Sequence, residues 1–195
     1  YTKETTNSAE LLFFTNHAQV YKSRASEFAD TKASVLGDYV ASKLEMEEGE
    51  VPLFMTVTVD YRGYMLFFYQ NGKCAKIPLA SYMTKQNRRK LLKAYSDKEE
   101  LAAMLHIEEE TELAVFTSGG TGGPRLILVG SALIPEKATR DTAGINMVTL
   151  KKNARIAKVR PAAGLELKDP HRYRVRTLPA GALLRQEDTT EQMSL

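Results

Sequence analysis

Clusters of lysine and arginine are the residues of this 195-residue sequence whose type and spacing point most clearly to chemistry. Five of the nine residues 85–93 are basic and none is acidic, and a second group without a carboxylate covers residues 151–160. Ammonium and guanidinium groups bind phosphate oxygens, and such contacts give an affinity that depends on salt and hardly on base sequence. The basic positions therefore predict a surface that binds duplex DNA. The residues predicted to form it are Lys22, Arg24, Lys73, Lys76, Lys85, Arg88, Arg89, Lys90, Lys93, Arg125, Lys137, Arg140, Lys151, Lys152 and Arg155.

Residues for catalysis or metal binding are sparse by comparison. The single cysteine, Cys74, and the three histidines lack the spacing of a zinc site. Residues 119–124 are rich in glycine, but a nucleotide-binding loop continues into Gly-Lys-Ser/Thr and a helix, whereas Arg125 opens a strand pattern. The acidic residues 45–50 lack the alternating ligands of a calcium loop. We therefore expect no catalytic residue, no metal ion and no cofactor within this chain.

A repeat places the basic residues on related elements. Residues 11–22 align without a gap to residues 65–76, an offset of 54, and a third copy lies 48 residues further on, over residues 113–129 with an extended turn. In each copy a polar or glycine-containing turn joins two runs rich in aromatic and branched residues, which is typical of a β-hairpin. Alternation along the second strand places its basic residues on a common face.

Short apolar segments complete each repeat. Residues 39–44, 101–106 and 145–150 are predicted to be strands, and residues 155–159 follow as a further strand. Residues 97–106 also fit a helix, because their apolar side chains recur at helical spacing. About four strands in each unit of about 50 residues is typical of a propeller blade.

The predicted fold is therefore all-β, with about three four-stranded blades in a propeller-like arrangement. The blades correspond to units of about residues 9–59, 60–110 and 111–160, which together form a repeat domain over residues 1–160. Residues 161–195 lose the pattern and are predicted to be an irregular tail. Because propellers have roughly 4 to 8 blades, three units predict a partial arc and not a closed ring.

The distribution of charge along the sequence indicates the kind of partner. Residues 1–112 carry 14 basic and 17 acidic side chains, whereas residues 113–195 carry 13 basic and 7 acidic ones, and a basic half favours a polyanionic partner.

No apolar run approaches the roughly 18 residues of a membrane span, and the N-terminus has no signal pattern, so a cytoplasmic location is expected. The start at Tyr1 instead of Met indicates a fragment of a longer protein.

The three repeats, together with residues 143–150, resemble the C-terminal domain of the A subunit of bacterial type IIA topoisomerases, DNA gyrase and topoisomerase IV. That repeat is an apolar strand ending in Thr, a glycine-containing turn, a strand ending in Lys or Arg, and a basic loop before a Gly and a short apolar strand. The resemblance covers about residues 9–160. It implies a β-pinwheel, in which blades exchange strands, and a noncatalytic domain that binds and bends duplex DNA on its basic rim and presents it for strand passage.

The resemblance also implies what other parts of such an enzyme supply. The catalytic tyrosine belongs to the breakage and reunion domain, and ATP and Mg²⁺ are used by other domains or by the partner B subunit. The implied partners are double-stranded DNA, the rest of the A subunit and the B subunit, at the nucleoid of a bacterial cytoplasm. Residues 86–90 are basic but lack the glycines of the gyrase wrapping box, which favours a topoisomerase IV-like or divergent gyrase-like subunit.

A second interpretation of the same residues belongs to another functional class. Basic faces on a propeller also suit a protein-interaction module that binds acidic partners. Protein interfaces concentrate aromatic residues and arginine in apolar centres, so a rim of Lys and Arg with few aromatic side chains favours DNA.

Overall fold

The protein is described by a computed structural model that covers residues 3–32, 34–84, 89–120 and 123–180, and the backbone of residues 184–185. Within these residues the chain is almost entirely β, with three antiparallel sheets of four strands each. The described helices include one α-helix of a single turn and several short 3-10 helices. No helix in the described part of the chain is long and apolar enough to cross a membrane.

The first sheet is built on the hairpin of β1 (Glu10–Thr15) and β2 (Val20–Arg24). Its edge strand β3 (Pro52–Thr58) pairs with β1 after the long connection that contains α1 (Val40–Lys43). The fourth strand, β6 (Lys90–Leu91), comes from the next repeat and pairs with β2, so the strand order is β3-β1-β2-β6.

The second sheet repeats this plan with β4 (Tyr64–Tyr69), β5 (Lys73–Pro78) and β7 (Leu101–Ile107). Its outermost strand, β10 (Ile145–Asn146), is again supplied by the following repeat and pairs with β5. The strand order β10-β5-β4-β7 therefore shows the same exchange between neighbouring units.

The third sheet consists of β8 (Glu112–Gly119), β9 (Arg125–Gly130) and β11 (Ala154–Pro161), and β12 (Leu184–Arg185) pairs with β9. The segment predicted to be an irregular tail thus donates the fourth strand. A 3-10 helix at Pro170–Tyr173 precedes it, and Tyr173 is buried against the third sheet.

The closing strands differ in part from the sequence prediction. Residues 39–44 were predicted to be a strand, but they contain α1, and β3 closes the first unit instead. Val40 and Leu44 stand four residues apart on one side of this turn and pack with Phe13, which favours a helical turn over a strand. Residues 101–106 form the strand β7, which confirms the predicted strand over the helical alternative. Of the strand predicted at residues 145–150, only Ile145 and Asn146 form one.

Apolar layers alternate with the three sheets. Leu12 and Phe14 of the first sheet pack against Met65 and Phe67 of the second. The opposite face of the second sheet packs in the same way against the third sheet. The two outer faces are covered as well, since the α1 connection packs on the first sheet and residues 162–173 pack on the third. Each sheet is therefore enclosed on both faces.

Candidate nucleic-acid interface

Two of the predicted contacts, Lys22 and Lys76, are buried inside the molecule. They occupy equivalent positions, because Lys22 pairs across the hairpin with Leu12 and Lys76 pairs with Leu66. Only 7% of Lys22 and 4% of Lys76 is exposed to solvent. The equivalent residue of the third repeat is Leu128, so this position belongs to the packing between units.

The buried lysines have carboxylate, carbonyl and aromatic partners. The Lys76 ammonium donates to Glu110 and to the Ser131 carbonyl at 3.2 Å, and it lies 4.3 Å from the centre of the Tyr64 ring. Burial opposes ionisation of Glu110, but the bonds from Lys76 and Ser131 hold the pKa of this carboxyl below its usual value.

Lys22 is held in the same manner. Its ammonium donates to Thr84 Oγ1 at 3.0 Å, lies 3.5 Å from Glu10 and stands 5.2 Å from the centre of the Tyr61 ring. Both lysines therefore hold neighbouring units together, and neither side chain presents its charge to a phosphate at the surface.

Arg140 also serves the contact between units. Its guanidinium donates to the carbonyl oxygens of Ser81 at 3.0 Å, Leu92 at 3.3 Å and Lys93 at 3.5 Å, and it lies 5.9 Å from the centre of the Tyr82 ring. These bonds join the loop after β9 to the second repeat. The N–H donors of the Arg140 guanidinium are therefore largely bonded within the protein.

A third group of predicted contacts is paired with carboxylates near the surface. Lys90 donates to Glu47, Arg89 lies 3.6 Å from Glu27, Lys73 lies 3.9 Å from Glu99, and Lys93 lies 3.8 Å from Asp141. Exposed pairs of this kind add little to stability, because water and salt screen the two charges. The bond from Lys90 lowers the pKa of Glu47.

Five predicted contacts are accessible and form no ion pair with another residue of the described ranges. Arg24 ends β2, Lys137 lies in the connection after β9, and the other three lie just before β11 or at its second residue. All five are exposed, and three of them fall within five residues of each other. The five are Arg24, Lys137, Lys151, Lys152 and Arg155.

The remaining predicted contacts complete the set. Arg125 begins β9, opposite Thr117, and is half-buried. Lys85 and Arg88 lie outside the described residues.

The structure also brings together a group that the sequence did not predict. Ligand atoms of His17, Glu47 and Glu50 lie within 4.8 Å of one another. The buried Glu50 carboxylate accepts bonds from Thr15 and Tyr21, and from the Glu47 N–H at 3.1 Å, while Lys90 binds Glu47. These bonds occupy the carboxylates within the chain and fix the end of the first hairpin against the loop before β3.

Comparison with known proteins places the fold. Neither a protein-family model nor a curated protein sequence matches the chain. Among solved structures, the C-terminal domain of DNA topoisomerase IV matches with a TM-score of 0.65 and 19% identity over 80% of this chain and 47% of that one. The C-terminal domain of DNA gyrase A matches with a TM-score of 0.56 and 15% identity, over 83% of this chain and 50% of that one. The E. coli ParC C-terminal domain matches with a TM-score of 0.67 and 12% identity, over 94% of this chain and 80% of that one.

The chain therefore spans about half the length of the first two of these structures. At such identities the likeness shows the fold, and it confirms the predicted β-pinwheel.

Proposed function

We propose that this chain is a noncatalytic DNA-binding and DNA-bending domain of a type IIA topoisomerase A subunit. Its basic rim contacts phosphates of duplex DNA and presents the duplex for strand passage. The rest of the A subunit and the B subunit are its protein partners, and they supply the catalytic tyrosine and the use of ATP and Mg²⁺. The setting is the nucleoid in a bacterial cytoplasm.

Two observations taken together support this proposal. The chain has the fold of C-terminal domains from DNA topoisomerase IV and DNA gyrase A, and the same fold exposes cations that have no carboxylate partner in the described chain. Unpaired cations lose little on meeting a phosphate, because no internal ion pair has to be broken first. Bending a duplex costs several kcal/mol by elastic estimates, roughly 1–6 for a site of 20–30 base pairs, and repeated phosphate contacts offset this cost.

The test is binding of the chain to a mixed-sequence duplex at increasing salt concentration. The slope of log K against log salt is steepest, about −4.5, if all five exposed cations each neutralise one phosphate, and affinity then drops about 500-fold between about 50 and 200 mM salt; fewer phosphate contacts give a shallower slope. Fluorescence energy transfer between dyes at the two duplex ends reports the bend. We expect bulk DNA of unrelated sequence to compete.

Two results would contradict the proposal. The first is the absence of duplex binding at about 50 mM salt. The second is displacement by polyglutamate at the same charge concentration as effectively as by duplex, which would favour the protein-interaction module that binds acidic partners.

A further inference from the structure

The first two hairpin turns, the described ends of the third hairpin and the segments that enter the third strand of each sheet form one edge of the stack, here called the turn edge. In the first two sheets, Thr15 pairs with Pro52 and Tyr69 with Leu101. In the third, Gly119 pairs with Ala154. The segments at these three entry points are therefore structurally equivalent: residues 45–50 and 97–100 lie before the pairing residue, and residues 151–155 run from three residues before Ala154 to one residue after it.

Direct bonds show that the turn edge is continuous from sheet to sheet. The Tyr95 hydroxyl, just before the second of these segments, donates to the Thr15 carbonyl in the first sheet at 2.5 Å. The Ile156 N–H, just after the third segment, donates to the Gln70 carbonyl in the turn of the second sheet at 3.0 Å. The first two turns thus each contact the chain that enters the next sheet.

Charge along this edge reverses sign. Residues 45–50 contain four glutamates and no cation, residues 97–100 contain three acids and Lys98, and residues 151–155 contain three cations and no acid. Within the described chain, Lys90 compensates Glu47 in the first segment and Lys73 lies 3.9 Å from Glu99 in the second. The cations of the third segment are exposed and have no carboxylate partner among the described residues.

The two ends of the turn edge act on a ligand independently. Packed sheets lie about 10 Å apart, so the first and third segments are separated by roughly 20 Å. This is about twice the distance over which salt at 0.1 M screens a charge. The acidic end therefore neither cancels the basic end nor is cancelled by it.

We infer that phosphate contacts on the turn edge are confined to the third sheet, through Lys151, Lys152 and Arg155, and that the glutamates of residues 45–50 keep the duplex away from the first sheet. This inference rests on the proposed function and adds to it the path that the duplex takes along the turn edge. The duplex is held at one end of the arc and turns away at the other.

The first experiment removes charge from the basic end. Lys151→Gln with Lys152→Gln is compared with Arg24→Gln and Lys137→Gln, which removes the same charge from exposed positions. Arg24 lies at the opposite end of its sheet from the turn, across from Glu10. We expect the salt slope of duplex binding to become shallower by about 1.8 in the first variant and by less than half of that in the second. Equal changes in both variants would overturn the inference.

The second experiment adds charge to the acidic end. Glu45 and Glu48 are exposed and form no ion pair with a described residue. Glu45→Lys with Glu48→Lys is expected to raise affinity at least about tenfold at low salt and to steepen the slope by about 1.8, since two further phosphates come within reach. The matched control is Glu4→Lys with Asp60→Lys, at the far end of the first sheet, where no such gain is expected. A gain no larger than that of the control would contradict a path along this edge.

Duplex binding by the wild-type chain distinguishes failure of the proposed function from failure of the inference. If it fails to bind duplex at low salt, the proposed function and the inference both fall. If it binds duplex but the turn-edge variants behave like their controls, the proposed function stands and the inference is wrong. Circular dichroism of each variant shows that the fold is kept.

Discussion

His106 is a titratable residue that joins two sheets. It lies on β7 of the second sheet, and its Nδ1 atom is 2.7 Å from Thr56 Oγ1 on β3 of the first sheet. Its Nε2 atom is 3.1 Å from the Arg62 carbonyl, so the ring bridges the two sheets in its neutral form. Burial, together with the nearby charge of Lys3, lowers the pKa of His106 below its usual value.

This environment predicts how the free energy of unfolding depends on pH. Because the folded chain resists protonation of His106, the unfolded chain binds more protons below the ordinary histidine pKa of about 6.5, and stability falls as the pH drops. We expect urea unfolding of the wild type to shift to lower midpoints between about pH 7.5 and 5.5, and that of His106→Gln to shift less. Parallel profiles for the two proteins would assign the pH dependence to other groups.

The exchanged strand β10 depends on a glycine at the place where the chain enters the neighbouring sheet. Gly144 immediately precedes β10 and has a φ of +74°. A Cβ atom at this position would lie 1.9 Å from the Cys74 carbonyl oxygen of β5. Both the backbone conformation and the close approach therefore require glycine, and the two-residue strand β10 pairs with β5 only because of it.

A matched pair of substitutions separates these two requirements. Gly164 has a similar φ of +78°, but a Cβ atom there would meet no atom within 4 Å. Gly164→Ala is expected to cost about 1–2 kcal/mol, the cost of a left-handed backbone. Gly144→Ala should cost a further 1–3 kcal/mol or so, because β10 must shift away from β5. Urea unfolding measures both, and equal losses would show that the close approach is unimportant.

The stack as a whole is closed by its own chain at both described ends. Tyr173 is 1% exposed and packs on the outer face of the third sheet with Phe116 and Leu128. The α1 connection covers the corresponding face of the first sheet. Sheet faces that would otherwise be open to association are thus covered.

Removal of one covering side chain tests this role of the C-terminal segment. Tyr173→Ala is expected to lower the free energy of unfolding by about 3–5 kcal/mol, as for other large buried aromatic residues. It should also promote self-association, since apolar surface of the third sheet becomes accessible, and light scattering coupled to gel filtration detects this. The control Tyr39→Ala alters a tyrosine that is 75% exposed. It should change stability by less than about 0.5 kcal/mol and leave the mass unchanged.

The repeat predicted the three hairpins, and for residues 101–106 it offered the strand as one of two alternatives. Hairpins are local structures, so the alternation of apolar residues and the turn residues predict them directly. The pattern did not predict β3 or α1, because the connection between β2 and β3 has no counterpart of the same length in the other units. The fold class was therefore predictable, but the closing element of the first unit was not.

Only the tertiary structure decided which basic residues reach the surface. Lys22 lies on the same sheet face as Leu12, and Lys76 on the same face as Leu66. Alternation normally separates a buried face from a solvated one, but each sheet here is packed on both faces, so a lysine in a strand can point into a layer between sheets. The exchanged strand β6 was not predicted, and the strand predicted at residues 145–150 was assigned to the third unit, whereas β10 pairs with the second sheet. Two residues carry no periodic signal, and their pairing is set by contacts between units.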